Sequence, residues 1–200
     1  MLFKRLMVNG PYRNANAVID YCTGSSGWHY AGSISDFNSP SGSATWSNLT
    51  NILGNDTGTY AAATTEADDP TGYTKLIEVT NFGFDIPDKP ITGIEVKIGY
   101  SSDMEVNAEL GFSDYAKLII GGTKVGTNKG NHSLFLDDTA FVFDTFTLGN
   151  STDLWGLTPV YTEINASNFG FAFQFLNDGQ PGRMADVRIY YVGIQVHYTC

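Results

Sequence analysis

The stretch KLIEVTNFGFDIPDKPITGIEVKIGY, residues 75 to 100, reads as strand, turn, strand. Ile94, Val96 and Ile98 alternate with Glu95 and Lys97. In an extended chain successive side chains point to opposite faces, so the three aliphatic residues face a core and the two charged ones face water or a partner. A helix would scatter them around its circumference. Leu76, Ile77 and Val79 form a second apolar run upstream, and Pro87 and Pro90 separate the two. Neither proline can donate to a sheet ladder, so 85–92 is read as a turn at a sheet margin.

Composition extends this reading to the whole chain. Twenty-two glycines, thirteen phenylalanines and eleven tyrosines among 200 residues favour many short strands joined by tight turns. The length suits one domain able to bury a core without disulfide staples. A net charge of −10, with only eleven Lys and Arg, argues against a surface that neutralises a nucleic-acid backbone. The first residues, MLFKRLMVNGPYRN, lack an uninterrupted apolar h-region and do not read as a secretory signal, and no segment has the length and apolarity of a transmembrane helix. Neither nucleic acid nor membrane is expected as a partner. The sequons at Asn48, Asn55, Asn131, Asn150 and Asn165 are read as by-products of Asn-rich and Thr-rich loops, and Cys22 and Cys200 as reduced thiols.

Further strands are expected at 59–64, at 104–112 with Met104, Val106, Ala108, Leu110 and Phe112 inward, at 115–120 after a turn at Ser113-Asp114, and at 139–148. Residues 121–138 read as loop; the GGTKVGTNKG passage within them lacks the spacing of a phosphate cradle. Phe169, Phe171, Phe173 and Phe175, alternating with smaller residues, mark a core strand, each ring contributing about 1.5 to 3 kcal/mol by burial. In the last strand, 186–198, Val187, Ile189 and Tyr191 take one face against Arg188, Tyr190 and Val192, and Gly193 is expected to mark a bulge where the alternation resets. Residues 158–167 hold the one helical turn. NFGF occurs at Asn81 and again at Asn168, and GIEV at Gly93 is echoed by GIQV at Gly193; their unequal spacings argue against a duplicated domain and for the same local solution at two strand margins.

Chemistry-bearing groupings are sparse. The three histidines, His29, His132 and His197, form no HExxH or HxH pattern, neither cysteine has a metal-ligand neighbour, and no GxSxG elbow occurs. No catalytic residue, cofactor or metal is therefore assigned, and a non-enzymatic protein is expected. The acids Glu66, Asp68 and Asp69 lack an EF-hand pattern and read as a solvated loop. Trp28, Tyr30, Trp46 and Trp155 are the candidates for an aromatic face that binds a sugar, against the commoner use of such rings as core.

Residues 1–43 are the least regular part, broken by Gly10-Pro11, Gly24, Gly27, Gly32, Pro40 and Gly42, with short extended pieces at 17–21 and 28–34. Their apolar and basic content, Phe3, Lys4, Arg5, Leu6 and Met7 with Trp28 and Tyr30, needs a partner. It is read as an extended N-terminal arm that packs along its own domain as an edge strand or reaches a neighbouring subunit. The expectation is an all-β protein, an antiparallel β-sandwich of jelly-roll type at 44–200, of roughly eight to ten strands.

Trp46, the passage GNDTGTYAAAT, KLIEVTNFGFDIPDKPITGIEVKI, then DLWGLTPVYTEINASNFGFAF and the closing VRIYYVGIQVHY together resemble a recurrent β-sandwich module of tailed-bacteriophage virion proteins, over about residues 44 to 200. The resemblance implies a structural, non-enzymatic component assembled on a virion, with the major capsid protein or tail components and further copies of itself as partners. A capsid decoration or cement protein is the first reading. A tail or baseplate accessory, or a lectin-like module that adheres to a host glycan, is the alternative.

Overall fold

The computed structural model describes residues 23–37, 43–67, 72–130 and 140–199. These hold ten strands: β1 (Thr23–Tyr30), β2 (Ser33–Phe37), β3 (Ala61–Glu66), β4 (Leu76–Thr80), β5 (Ile91–Met104), β6 (Leu110–Ile120), β7 (Thr123–Val125), β8 (Asp144–Asn150), β9 (Gly170–Asn177) and β10 (Met184–Thr199). Two single-turn helices accompany them, a 3-10 helix at Leu49–Ile52 and an α-helix, α1, at Tyr161–Ile164. All strand pairings between them are antiparallel, in two sheets. One sheet runs β1-β10-β5-β8, with β3 also on β10; the other runs β2-β4-β9-β6-β7. The strand order establishes a two-sheet sandwich without by itself assigning the jelly-roll subtype.

The opening stretch supplies one strand to each sheet. β4 and β5 are not partners: residues 81–90 carry the chain from one layer to the other. Phe82, Phe84 and Ile86 are buried along this crossing, while the residues between them are exposed. Extended backbone without a strand neighbour must bond elsewhere, and Asn165, just after α1, supplies part of the answer. Its carboxamide accepts from the Ile86 amide at 2.8 Å and donates to the Ile86 carbonyl at 2.9 Å, as a strand would.

The core lies between the sheets. Ile94, Val96 and Ile98 of β5 and Val187, Ile189, Val192, Ile194 and Val196 of β10 meet Ile77, Val79, Leu110, Phe112 and Leu118 and the phenylalanine row of β9. Phe169, Phe171, Phe173 and Phe175 are fully buried, as their alternation predicts. The sequence echoes become contacts. Ile94, Glu95 and Val96 pair with Val196, Gln195 and Ile194 across β5 and β10, and Phe84 of the first NFGF packs edge-on against Phe169 of the second at 5.8 Å.

Several boundaries differ from the sequence reading. The expected strand 104–112 is broken by a turn between its ends: β5 ends at Met104, the Ala108 amide bonds the Glu105 carbonyl at 2.9 Å, Asn107 takes φ 70°, and β6 begins at Leu110, with Leu110 and Phe112 buried as expected. Val106 is 80% exposed, so its place in an apolar alternation carries no burial. The turn expected at Ser113-Asp114 lies inside β6, where the ladder to β9 shifts between Phe112 and Ala116. β7 occupies part of the expected loop 121–138, joined to β6 through Gly121 and Gly122 at φ 60° and 78°, the mirror-image turn that suits strand twist. The strand expected from 139 begins only at Asp144, because Phe141 turns the chain at φ 52°. The bulge in β10 lies between Ile189 and Tyr191 and not at Gly193.

Of the expected arm, 1–43, residues 23–37 belong to the sandwich: β1 pairs with β10 and β2 with β4. The edge-strand reading therefore holds for this part, and the boundary at 43/44 does not separate it from the sheets. Phe3, Lys4, Arg5, Leu6 and Met7, the piece at 17–21, Cys22, Cys200, His132 and the acids Asp68 and Asp69 lie outside the described residues.

Beside the core, Asp153 ties the 151–157 loop to the sandwich. It accepts from the Trp155 amide at 2.8 Å and pairs with Lys129 Nζ at 2.5 Å. Burial alone would raise its pKa, but the Lys129 hydrogen bond, the Trp155 amide and the Lys129 charge together outweigh burial and hold the carboxyl below its usual value. A depressed folded pKa gives stability that is present above the unfolded value, about 3.9 for aspartate, and is lost as pH falls through the lower folded value. Asp153→Asn is thus expected to melt below the wild type at neutral pH, with the gap closing in that acid window. A gap that persists unchanged into strong acid would contradict the assignment.

Candidate docking face

The two outer faces of the sandwich differ in chemistry. On the β2-β4-β9-β6-β7 sheet, Lys75 pairs with Asp36 at 3.4 Å and Lys124 with Glu78, around a small apolar cluster of Leu76, Ile119 and Ala172. The outer face of the β1-β10-β5-β8 sheet is aromatic.

The register shows how that face arises. In β1, His29 is opposite the buried Ile194 and lies inward, its Nδ1 3.0 Å from the Phe82 carbonyl and its ring 4.5 Å from that of Phe84. Trp28 and Tyr30 therefore lie outward, opposite Gln195 and Gly193. In β10 the alternation carries Val187 and Ile189 into the core, slips at Tyr190, and resumes with Val192, Ile194 and Val196. The extra residue of a bulge re-aims side chains, and here it turns Tyr190 and Tyr191 to the same outer face.

Glycines make room for the rings. A Cβ at Gly99 would stand 2.7 Å from the Tyr191 ring, and one at Gly193 would stand 3.2 Å from the Tyr30 ring and 3.4 Å from that of Trp28. Without those Cβ atoms the aromatics lie against the sheet, and Tyr190 and Tyr191 are only 8% and 7% exposed although they face outward. Tyr30 meets Tyr191 edge-on at 5.5 Å, and Phe143, from the segment before β8, reaches Tyr190 at 5.2 Å and Tyr191 at 6.3 Å. Tyr60, just before β3, packs on Tyr190 at 5.7 Å. The ring contacts run from Tyr30 through Tyr191, Phe143 and Tyr190 to Tyr60.

Two cations are set into it. Lys97 Nζ sits 4.4 Å from the Trp28 ring centre and 5.6 Å from that of Tyr191, within cation–π range. Arg188 lies over Tyr60 and Phe141. At one margin His197 Nε2 and Glu95 are 2.6 Å apart. The Tyr190 hydroxyl lies 3.0 Å from Ser101 Oγ, and burial, followed by the neighbouring Tyr30, raises the Tyr191 pKa. The phenol of Tyr191 thus stays neutral across the physiological range.

Of the residues singled out from sequence, Trp28 and Tyr30 share this face. Trp46 and Trp155 do not. Both are buried, with indole N–H groups donating at 2.9 Å to the carbonyls of Lys75 and Ile94 respectively, so the four candidate sugar-platform aromatics do not assemble into one surface. Tyr190, Tyr191, Phe143, Tyr60, Lys97 and Arg188 complete the face and were missed. The adjacent tyrosines at a change of phase, with glycines on facing strands, are the signal that could have found them. Among the described residues no group of three His, Cys, Asp or Glu side chains is arranged to hold a metal ion.

No protein-family model matches the chain, and no curated protein does. Among solved structures, a cyclase from Fischerella sp. TAU is similar over 82% of this chain and 87% of that one, at 9% identity and a TM-score of 0.26. A likeness at that level carries no argument about fold or activity.

Proposed function

We propose that the chain is a non-enzymatic structural component of a tailed-bacteriophage particle, a capsid decoration or cement protein that attaches through the outer face of its β1-β10-β5-β8 sheet. The observation that carries the attachment surface is the set of outward rings Tyr30, Tyr191, Phe143 and Tyr190, each in contact with the next, with Trp28 joined to Tyr191 through Lys97. A sheet face meant only for water presents polar side chains at alternate positions, as the salt-bridged opposite face does in part. Interface cores are instead enriched in Tyr, Trp and Phe and depleted in acids. Phe143 at 43% exposure leaves apolar surface on this face for a partner to cover. The assignment to a virion rests on the sequence resemblance of residues 44–200, and the acidic net charge suits a part outside a DNA-filled shell.

The test is immunogold labelling of purified particles with an antibody raised against this chain. Regular label over the shell is the expected result. Label confined to the tail would replace the decoration role with that of a tail or baseplate accessory. Absence from particles would overturn the virion reading, leaving a free binding domain.

A further inference from the structure

At the β3 end of the aromatic face, the Arg188 guanidinium lies between two rings, 4.5 Å from the centre of Tyr60 and 3.4 Å from that of Phe141. Among the described residues it has neither a carboxylate within ion-pair distance nor a hydrogen-bond acceptor. A guanidinium with rings against its faces keeps its N–H donors in the plane between them, available along its edge as a fork that matches two oxygens of one carboxylate. Phe141 holds its place at φ 52°, a backbone conformation that bulky residues rarely adopt.

Arg188 lines an open cleft of about 290 Å³, together with Asn48, Thr64, Asp186, Tyr60 and Phe141. That volume is just below the range for drug-sized ligands, about 300 to 1,000 Å³, and suits one sugar ring. Asp186 accepts from the Thr64 hydroxyl through Oδ1, and its second oxygen has no partner among the described residues. Asn48 is exposed at φ 52°, and its side chain caps no backbone group.

These groups together select among ligands. A bare anion satisfies the Arg188 fork but is repelled by Asp186. A neutral sugar gives Asp186 a donor but leaves the guanidinium unused. A carboxylate that carries hydroxyls on the same ring meets both. We infer that this cleft binds a uronic-acid residue, with its carboxylate on the Arg188 edge and its ring hydroxyls on Asp186 and Asn48. The inference does not rest on the virion reading: the cleft lies at the Tyr60 end of the aromatic face, and the titration below reads the free chain.

The test is a titration of the full chain, followed by amide and guanidinium chemical shifts, with sodium glucuronate, its neutral analogue glucuronamide, glucose and inorganic phosphate at matched ionic strength. Glucuronate is expected to shift the Arg188 side-chain signals saturably and to bind at least about tenfold tighter than glucuronamide or glucose, because only it pairs with the fork. Arg188→Lys keeps the charge and loses the fork, and is expected to weaken glucuronate about tenfold. The comparison of glucuronate with glucuronamide on the unaltered chain decides the matter even where that variant is unstable. Equal binding of the two, binding of phosphate as tight as that of glucuronate, or no saturable shift would each overturn the inference.

Discussion

Phe171→Ala is expected to lower the folding free energy by about 3 to 5 kcal/mol, the range for truncating a buried phenylalanine. Phe171 sits at the middle of the sandwich with no exposed surface. It pairs through the backbone with Val79 on one side and Leu118 on the other, both fully buried. Its ring stacks on Phe173 at 5.4 Å and meets Trp155 edge-on at 5.9 Å. Strand backbone fixes the neighbouring side chains from both directions, so the cavity has little freedom to collapse and the cost belongs in the upper part of the range. A domain of this size has about 5 to 15 kcal/mol in total, and the variant is expected to be substantially unfolded at modest urea. Phe143→Ala removes the same ring from the outer face, where it is 43% exposed, and is expected to cost far less. Equal urea midpoints for the two variants would place the core wrongly.

Trp155→Ala is expected to cost at least as much. The indole is fully buried, and its Nε1 donates to the Ile94 carbonyl at 2.9 Å. Its backbone is held from both sides, the amide by Asp153 Oδ1 and the carbonyl by the Thr127 amide at 2.6 Å. The residue takes φ 57°, so alanine keeps the unfavourable backbone conformation while losing the ring that stabilises it. A Cβ on Gly149 would stand 3.0 Å from Nε1, which shows how closely the indole is enclosed. Truncation therefore adds the loss of a buried hydrogen bond, about 1 to 3 kcal/mol where the acceptor is left unsatisfied, to the cavity term of about 3 to 5 kcal/mol. Trp155→Phe restores most of the volume without the donor and is expected to fall between wild type and alanine in urea denaturation. A phenylalanine variant as unstable as the alanine variant would assign the effect to the hydrogen bond alone.

What was legible in the sequence follows the physics of alternation. Period two located β4, β5, β9 and β10 because each has an inward face filled by aliphatic or aromatic residues. The same rule failed at Val106 and at Phe141. Apolar residues happen to alternate there, but Asn107 and Phe141 at positive φ turn the backbone, and alternation says nothing about φ. Sheet membership was not legible at all. Nothing local distinguishes a hairpin from a crossing between layers, and the 81–90 segment is a crossing stabilised by Asn165, a residue far away in sequence.

The candidate face was legible only at Trp28 and Tyr30. Tyr191 was assigned inward with Val187 and Ile189, since the phase change was put at Gly193; the bulge lies at Tyr190, ahead of that position, and sends two tyrosines outward. Phe143 was given to a strand that begins only at Asp144. Gly193 read as a bulge, whereas in the fold it and Gly99 are the floor on which the outer rings lie.

The central claim is that the chain sits on a particle and holds to it by this face. A cryo-electron microscopy reconstruction of the purified particle, at a resolution that shows side chains, tests it most directly. The account predicts density for the sandwich outside the shell, with Trp28, Tyr30 and Phe143 buried against a neighbouring protein and the Lys75–Asp36 and Lys124–Glu78 face turned to solvent. A sandwich held by that salt-bridged face, with the aromatic face open to water, would contradict it.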